Sequence, residues 1–595
     1  MKELLTLIPY LRKHSATVAA GVFLVLLANA FSLAPPYLIK RAIDALGAAE
    51  VVRGEVVVFA SLIVITALLG GAARFGMRQL LNGTSRRVEY ELGNDLFRHL
   101  VRLDAGYFGR TPTGDLMSRM TNDLSAVRMA AGPAYMYLAN TIVGTAISLS
   151  FMLWISPRLT LVAVIPMLAL PPVTLFFGRI IHRRFERIQE QFSRLSTLAQ
   201  ENLAGMRIVK AYVQEEDQTK RFAGLSDEYL RRNVDLAKVS GLFHPLLTLI
   251  SGLAIVLAFL IGGRMAMRGE ISIGDFVAFS LYLGALTWPM IALGWVINLF
   301  QRGAASMARI KRVLDTRAEI VEPEDAVVLP EVRGEIEFRD VSFRYPGTER
   351  EVLSEISFRA PAGSLVAVVG ATGSGKSTLV HLLTRLYDPI DGEVLIDGVP
   401  LTRLSLRQLR EVIGVVPQEA FLFSDTIRDN LAMGMEEGAA ATAEERVRSA
   451  AGVAQLDETI MGFPAGYGTM LGARGVNLSG GQKQRATLAR ALARDPRLLI
   501  LDDALSAVDT HTEAEILEGL REVLRGRTSV VVSHRVSAVM AADLVLVLED
   551  GRLVETGTHA ELLQRGGTYA TLLHRQLLAD EVERGGVLAR SEGQI

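Results

Sequence analysis

The chain has 595 residues, a formal net charge of −1, no cysteine, and 50% hydrophobic residues at a mean hydropathy of +0.29. Without cysteine there can be no disulfide, thiolate metal site or cysteine nucleophile, and the near-neutral charge gives no electrostatic footprint for nucleic acid. The 9 histidines are scattered with no metal-ligand spacing, the length leaves room for about two to four domains, and the apolar content points to a membrane.

In chain order, Lys2 to His14 reads as an amphipathic helix lying at an interface, with no small-residue cleavage site after it. Six apolar runs follow, near Thr17–Leu38, Val56–Phe75, Tyr135–Ile155, Leu159–Ile180, Leu242–Gly262 and Phe276–Phe300. Each approaches the roughly 20 residues needed to cross a bilayer, and six of them in one half of a chain predict a helical membrane domain. The connections Gly76 to Pro133 and Ile181 to Gly241 are long, rich in arginine and helical in pattern. The positive-inside tendency puts them, and with them both chain termini, on the cytoplasmic side. Pro35-Pro36, Pro166, Pro171-Pro172, Pro245 and Pro289 fall in or near the runs as kink sites. Few ionisable residues fall inside the runs and none near the middle of one, so a path through the membrane is expected to be lined by apolar, aromatic and small polar groups. Trp288, Trp295, Asn298 and Phe300 fit such a lining and fit lipid-interface anchoring equally well.

The cytoplasmic half begins after a mixed linker. The division expected is 1–314 for the membrane domain, 315–333 for the linker, 334–578 for an α/β domain, and 579–595 for a charged tail. Gly370-Ala371-Thr372-Gly373-Ser374-Gly375-Lys376-Ser377-Thr378 follows a strand-like segment and opens a helix-like one. That is the context of a phosphate-binding loop, in which backbone amides curl around phosphates, Lys376 reaches the β- and γ-phosphates, and the Ser377 hydroxyl ligates Mg²⁺. The positive end of the following helix faces the same anion. Tyr345, about 25 residues ahead, could stack on a base. Gln418 follows an apolar strand. Leu478-Ser479-Gly480-Gly481-Gln482 opens a helix through Arg485 and Arg490. Leu498 to Asp502 is an apolar strand ending in acid, Ser506-Ala507-Val508-Asp509 comes next, and His534 ends a further strand.

These motifs, in this order, make the cytoplasmic half resemble the nucleotide-binding domain of ABC transporters, and residues 1–575 resemble a half-transporter of the ABC exporter type. The resemblance implies six membrane helices with long cytoplasmic extensions followed by an α/β P-loop ATPase. It implies ATP and Mg²⁺ as cofactors, with Ser377, Gln418 and Asp502 at the metal. Leu478 to Gln482 would be the signature that completes a second subunit's ATP site, Ser506 and Asp509 the D-loop, and Asp503, His534 and Gln418 the catalytic residues. Thr113-Gly114-Asp115 and the stretch from Glu201 to Tyr212 and Gln214 resemble the two intracellular coupling loops, with Arg474 on the ATPase side. The cargo implied is amphipathic: drugs, lipids or peptides. The first apolar run begins about 16 residues in, so no fused peptidase domain is expected ahead of it, and a bacterial plasma membrane is the expected location.

Two positions depart from the family pattern. Asp503 stands where the family carries the glutamate that acts as general base, and Ala473 stands where Gly472-Ala473-Arg474-Gly475 would have a glutamate. A side chain shorter by one methylene misplaces the base by about 1 Å, which costs on the order of 100-fold in rate. A weakened acid beside an intact signature resembles one subunit of a heterodimer whose partner supplies the working glutamate. A homodimer in which Asp503 works as the base, and a regulatory subunit that binds ATP without turnover, are the alternatives.

Overall fold

The computed structural model describes residues 2–47, 53–435, 440–472, 475, 477–533, 539–575 and 577. By contacts the chain divides into two compact units, Met1–Val101 with Thr113–Thr316, and Arg102–Pro112 with Arg317–Ile595. The expected Ala473, Arg474, His534 and the whole tail 579–595 lie outside the described residues.

In the first unit, six helices among the described residues are long and apolar enough to cross a membrane: α1 (Ser15–Leu46), α2 (Gly54–Leu100), α4 (Thr113–Ile155), α5 (Pro157–Ala204), α6 (Glu215–Met267) and α7 (Ile273–Leu314). At 1.5 Å per residue, the 47 residues of α2 extend ~70 Å, well beyond the hydrocarbon core. The prolines act locally. Pro35-Pro36 and Pro171-Pro172 occupy the first turn of a fresh helical segment, where a missing amide hydrogen costs little. Pro133 falls in a π-helical turn, and Pro245 and Pro289 lie inside α6 and α7. A capping box between Ser272 and Asp275 starts α7, and the Gly274 amide donates to Asp44 Oδ1 of α1 at 3.1 Å. Tyr282, Phe279 and Leu283 of α7 are almost wholly buried and pack with Met152, Leu159 and Leu170 from α4 and α5.

In the second unit, β1 (Ile336–Phe343), β2 (Leu353–Ala360), β4 (Asp391–Ile396) and β5 (Val399–Pro400) form an antiparallel sheet in the order β2-β1-β4-β5. A second sheet has the order β10-β9-β3-β8-β7-β6, from β3 (Leu365–Gly370), β6 (Ile413–Val416), β7 (Leu498–Asp502), β8 (Thr528–Val532), β9 (Leu544–Glu549) and β10 (Arg552–Gly557). Its β9-β3-β8-β7-β6 core is parallel. Every residue of β7 is buried, which explains its unbroken apolar sequence. Helices α8 (Lys376–Leu383), α9 (Ile427–Ala432), α10 (Ala440–Val453), α11 (Gly480–Ala493) and α12 (Thr510–Leu524) are among the helices of this unit.

The segment 102–112 also belongs to this unit, although it lies between two membrane helices in the chain. It forms the short helix α3 (Ala105–Arg110), capped by Asp104, whose Oδ1 accepts from the Tyr107 amide at 3.0 Å. Asp104 Oδ2 accepts from the Glu319 amide at 2.7 Å, and Arg110 pairs with the Glu319 carboxylate at 3.1 Å.

The start of β1 is set by one carboxylate. Asp397, in the turn between β4 and β5, accepts from the amides of Arg333, Gly334 and Glu335 at 2.8, 3.1 and 2.8 Å. Asp397→Ala leaves three amides without that acceptor and should destabilise this unit by roughly 1–3 kcal/mol. Thermal unfolding followed by circular dichroism reads this as a lowered midpoint, and an unchanged midpoint would contradict the assignment.

Candidate nucleotide site

The phosphate loop sits at the carboxyl ends of the parallel strands, where β3 ends at Gly370. Asp502, at the end of β7, is separated from β3 by β8, a distance of two strand spacings or ~10 Å. The loop and the first turn of α8 bridge that gap. Ser377 Oγ donates to Asp502 Oδ1 at 3.1 Å, bringing together two of the three residues expected at a metal. Gly375 caps α8 with φ +100°, in the left-handed region, and a Cβ there would crowd Leu353 at 2.6 Å. The bend that turns the strand into the helix therefore requires glycine.

Lys376 is buried, and its ammonium donates to the carbonyls of Gly370 and Ala371 at 2.9 and 2.8 Å, folding back across the loop. Burial pulls its pKa below the ordinary lysine value, against the opposing charges of Asp503 and Asp502. Burial pushes the Asp502 carboxyl above the usual range, opposed by the Ser377 hydrogen bond and by His381. Ser374 Oγ is buried inside the loop with no hydrogen-bond partner among the described residues, while Thr372 and Gly373 are exposed at its tip. An orphaned hydroxyl, a buried ammonium held only by carbonyls and the first amides of α8 form a cradle suited to phosphate. Ser377 and Asp502 are oxygen donors of the kind a hard divalent cation takes. These residues fit Mg²⁺–ATP, and the cation would supply charge neutralisation at the phosphates.

The remaining expected residues fall in three places. Tyr345 is half-buried, and its hydroxyl lies 3.0 Å from both Thr378 Oγ1 and His381 Nδ1 of α8. Its ring packs edge-on against Phe343 and Tyr387, so in this conformation it braces the helix. Tyr345 also lines a cleft of about 570 Å³ shared with Asp104, Pro346 and Tyr387. Gln418 is exposed on the loop after β6, and no hydrogen bond joins it to Ser377 or Asp502. Asp503 has a left-handed backbone (φ 49°), which a short polar side chain tolerates, and its amide donates to Val532 O at 3.0 Å.

The signature forms its own face. Leu478 is buried, while Ser479 and Gly480 are exposed at the start of α11. Ser479 and Gln482 close a capping box, with the Gln482 amide donating to Ser479 Oγ and the Ser479 amide to Gln482 Oε1. A Cβ on Gly481 would stand 2.7 Å from the Ala507 carbonyl, so the approach of the D-loop explains that glycine. Asp509 caps α12 and accepts from the Thr512 amide at 3.0 Å.

Two tethers were not anticipated from the motifs. The buried Gln484 amide donates to Ser506 Oγ at 2.9 Å and accepts from the Ala507 amide at 2.8 Å, fastening the D-loop to the signature helix. Arg490 donates to the carbonyls of Asn430 and Phe421 and to Asn430 Oδ1, fastening the chain beyond Gln418 to the same helix. The only sequence signal was a polar residue at inward positions of an otherwise apolar helix face. Among the coupling candidates, Gly114 and Asp115 lie in the first turn of α4, and Asp115 pairs with Arg119. Tyr212 and Gln214 lie in an exposed turn. The segment 102–112, which belongs to the second unit, precedes the first of these and was not singled out from the sequence.

The raised pKa of Asp502 has a definite consequence. The folded state holds this proton more tightly than the unfolded chain, so the stabilisation is present at low pH and lost as pH rises through the folded value. Above that value the penalty of the buried carboxylate is in force. Asp502→Asn should therefore raise the melting temperature of the nucleotide-free protein and abolish the further rise caused by Mg²⁺–ATP. Scanning fluorimetry with and without Mg²⁺–ATP measures both, and a lower nucleotide-free midpoint would contradict the reading.

The comparisons with known proteins agree with this geometry. Residues 18–290 match the ABC transporter transmembrane region, and residues 353–506 match the ABC transporter domain. The chain is 37% identical over 567 residues to the probable multidrug resistance ABC transporter ATP-binding/permease protein YheI of Bacillus subtilis, covering 95% of this chain and 96% of that protein. It is 34% identical over 576 residues to the ATP-dependent lipid A-core flippase of Syntrophus aciditrophicus, covering 96% and 94%. The solved structure of a bacterial Atm1-family ABC exporter with ATP bound is similar at a TM-score of 0.78 and 30% identity, over 94% of this chain and 99% of that one.

Proposed function

This chain belongs to the ABC transporter family, and we propose that it is one subunit of a dimeric exporter whose own ATP site turns over slowly. It is a multi-pass membrane protein and an ATP-hydrolysing transporter that uses ATP and Mg²⁺. The proposal adds the cargo, the partner and the orientation. The cargo is an amphipathic drug or lipid, the classes that the names of its relatives carry. The partner is a second half-transporter that supplies a catalytic glutamate, and both termini face the cytosol of a bacterial cell.

The observation that carries the reading is the joining of Ser377 to Asp502, with the orphaned Ser374 hydroxyl beside them, in a chain that also holds six membrane-length helices. Lys376 and the amides of the loop would hold the phosphates. The exposed Ser479 and the start of α11 would present hydroxyl and amide groups to nucleotide held by the other subunit. ATP then bridges the two subunits, and hydrolysis removes the bridge. Closure shifts the membrane helices between inward- and outward-facing states only through a difference in ATP affinity between them. The Gln484 tether would carry D-loop movement into the signature helix within one chain.

Asp503 supports the slow-site reading. Its carboxylate is one methylene shorter than glutamate, and a misplacement of about 1 Å costs on the order of 100-fold. Purified alone in lipid nanodiscs, with Lys376→Ala as the blank, the chain should bind ATP but hydrolyse it slowly. Asp503→Glu should raise steady-state turnover by at least about 10-fold, part of that penalty. Robust turnover by the unaltered chain, unchanged by Asp503→Glu, would instead make Asp503 a competent base in a homodimer.

A further inference from the structure

The sequence reading found few ionisable groups inside the apolar runs and none near the middle of one; Arg74, at the end of the second run, and Arg78, just past it, line a cavity in the structure. A cavity of about 320 Å³ opens between α1, α2, α4 and α7, and its lining includes Arg74, Arg78, Asn29, Asn140, Tyr137 and Trp288. Arg74 and Arg78 are one helical turn apart on α2 and share a face with the buried Met77. The other walls fix the depth. Asn29 and Ser32 lie inside the first apolar run, Asn140 and Gly144 inside the third, and Trp288 inside the sixth. Helix α2 therefore carries both arginines to the level of residues that lie inside three other apolar runs.

Residues 15–43, 56–88, 124–155 and 276–314, which cover the cavity-lining stretches of the four helices, contain no Asp or Glu. Among the described residues neither arginine forms an ion pair. Arg74 Nη2 donates to the Ser32 hydroxyl at 2.6 Å, a neutral partner. The neighbouring polar groups are organised. Asn29 is buried and donates to Asn140 Oδ1 at 3.0 Å and to the Val25 carbonyl at 2.8 Å. A Cβ on Gly144 would sit 3.0 Å from Asn29 Oδ1, so the glycine makes room for this amide pair. Charged side chains at membrane depth are costly and mark ligand pathways.

We propose that this cavity binds an amphiphile bearing an anionic headgroup, with the acid held by Arg74 and Arg78 and the apolar body laid against Trp288, Met77 and Tyr137. Guanidinium forks match the two oxygens of a phosphate, sulfonate or carboxylate, and Arg presents them pre-organised. A cationic amphiphile meets two like charges at the same place, so the cavity selects by charge sign. The inference rests on the exporter reading and names its cargo class. That headgroup can arrive on a membrane lipid or on a soluble organic acid.

The test uses the full chain in phosphatidylcholine nanodiscs and reads energy transfer from tryptophan to dansyl probes. One arm titrates a soluble dansyl alkyl phosphate against a dansyl alkyl trimethylammonium with the same apolar body. The other incorporates dansyl-labelled phosphatidic acid in the disc. In at least one arm the phosphate should bind saturably, about 10-fold or more tighter than the ammonium probe, a difference within the reach of charge-assisted contacts. Arg74→Gln with Arg78→Gln should weaken phosphate binding by about 10-fold and erase the preference, while Arg74→Lys with Arg78→Lys keeps it, since the charge remains. Saturation in the soluble arm assigns a cargo taken from water, and in the lipid arm one taken from the bilayer. Equal affinity for both charges in both arms, or an unaltered preference in the glutamine variant, would overturn the site. Vesicle transport separates this from the exporter reading. Arginine-dependent binding without ATP-driven movement of any probe would sink the exporter and leave the site. ATP-driven movement of the ammonium probe alone would sink the site and leave the exporter.

Discussion

Two buried charges near each other, neither satisfied by the other, are the constraint on which the cytoplasmic half depends. Lys376 donates to carbonyls and Asp502 accepts from a serine hydroxyl, and burial disfavours the charged form of both. Hydrophobic strands place them there. β3 and β7 are buried nearly throughout, and their carboxyl ends deliver the loop and the acid to the same edge of the sheet. Removing either charge would relax the empty protein. What justifies keeping them is a ligand that brings its own negative phosphates and a divalent cation, and so satisfies every group at once. The orphaned Ser374 hydroxyl belongs to the same unfinished arrangement.

The membrane unit instead carries two exposed arginines that form no ion pair among the described residues. Arg74 and Arg78 sit among helices from which acidic residues are absent at that depth, while ion pairs such as Asp123 with Arg309 occur elsewhere in that unit. On the readings proposed above, polar groups left without a full complement of partners mark in both places where a ligand would fit. The packed apolar residues around them hold the geometry.

Much of this was legible in the sequence because the relevant signals are local. The phosphate loop, the signature and the acid-tipped strand are contiguous motifs, and their backbone requirements show directly as Gly375, Gly481 and the unbroken apolar run of β7. The six apolar runs announced the membrane helices in the same way, although their ends did not. Helix α2 passes without a break from apolar run to polar extension, so the helix itself does not mark the end of the run. Contacts between distant stretches left almost no trace. Gln484 reaching the D-loop, Arg490 reaching Asn430, Asp397 gathering three amides, and α3 joining the second unit each depend on partners between 22 and 215 residues away. Tyr345 was picked out by its spacing ahead of the phosphate loop, but its bond to α8 was not legible.

The central claim, that this chain holds ATP firmly and hydrolyses it slowly at its own loop, is tested most directly by the identity of the bound nucleotide. The protein alone would be incubated with Mg²⁺–ATP, freed of unbound nucleotide by rapid gel filtration, denatured, and its nucleotide separated by ion-exchange chromatography. The account predicts that the bound nucleotide is predominantly ATP and that Asp503→Glu converts it to ADP. Predominantly ADP on the unaltered chain would contradict it.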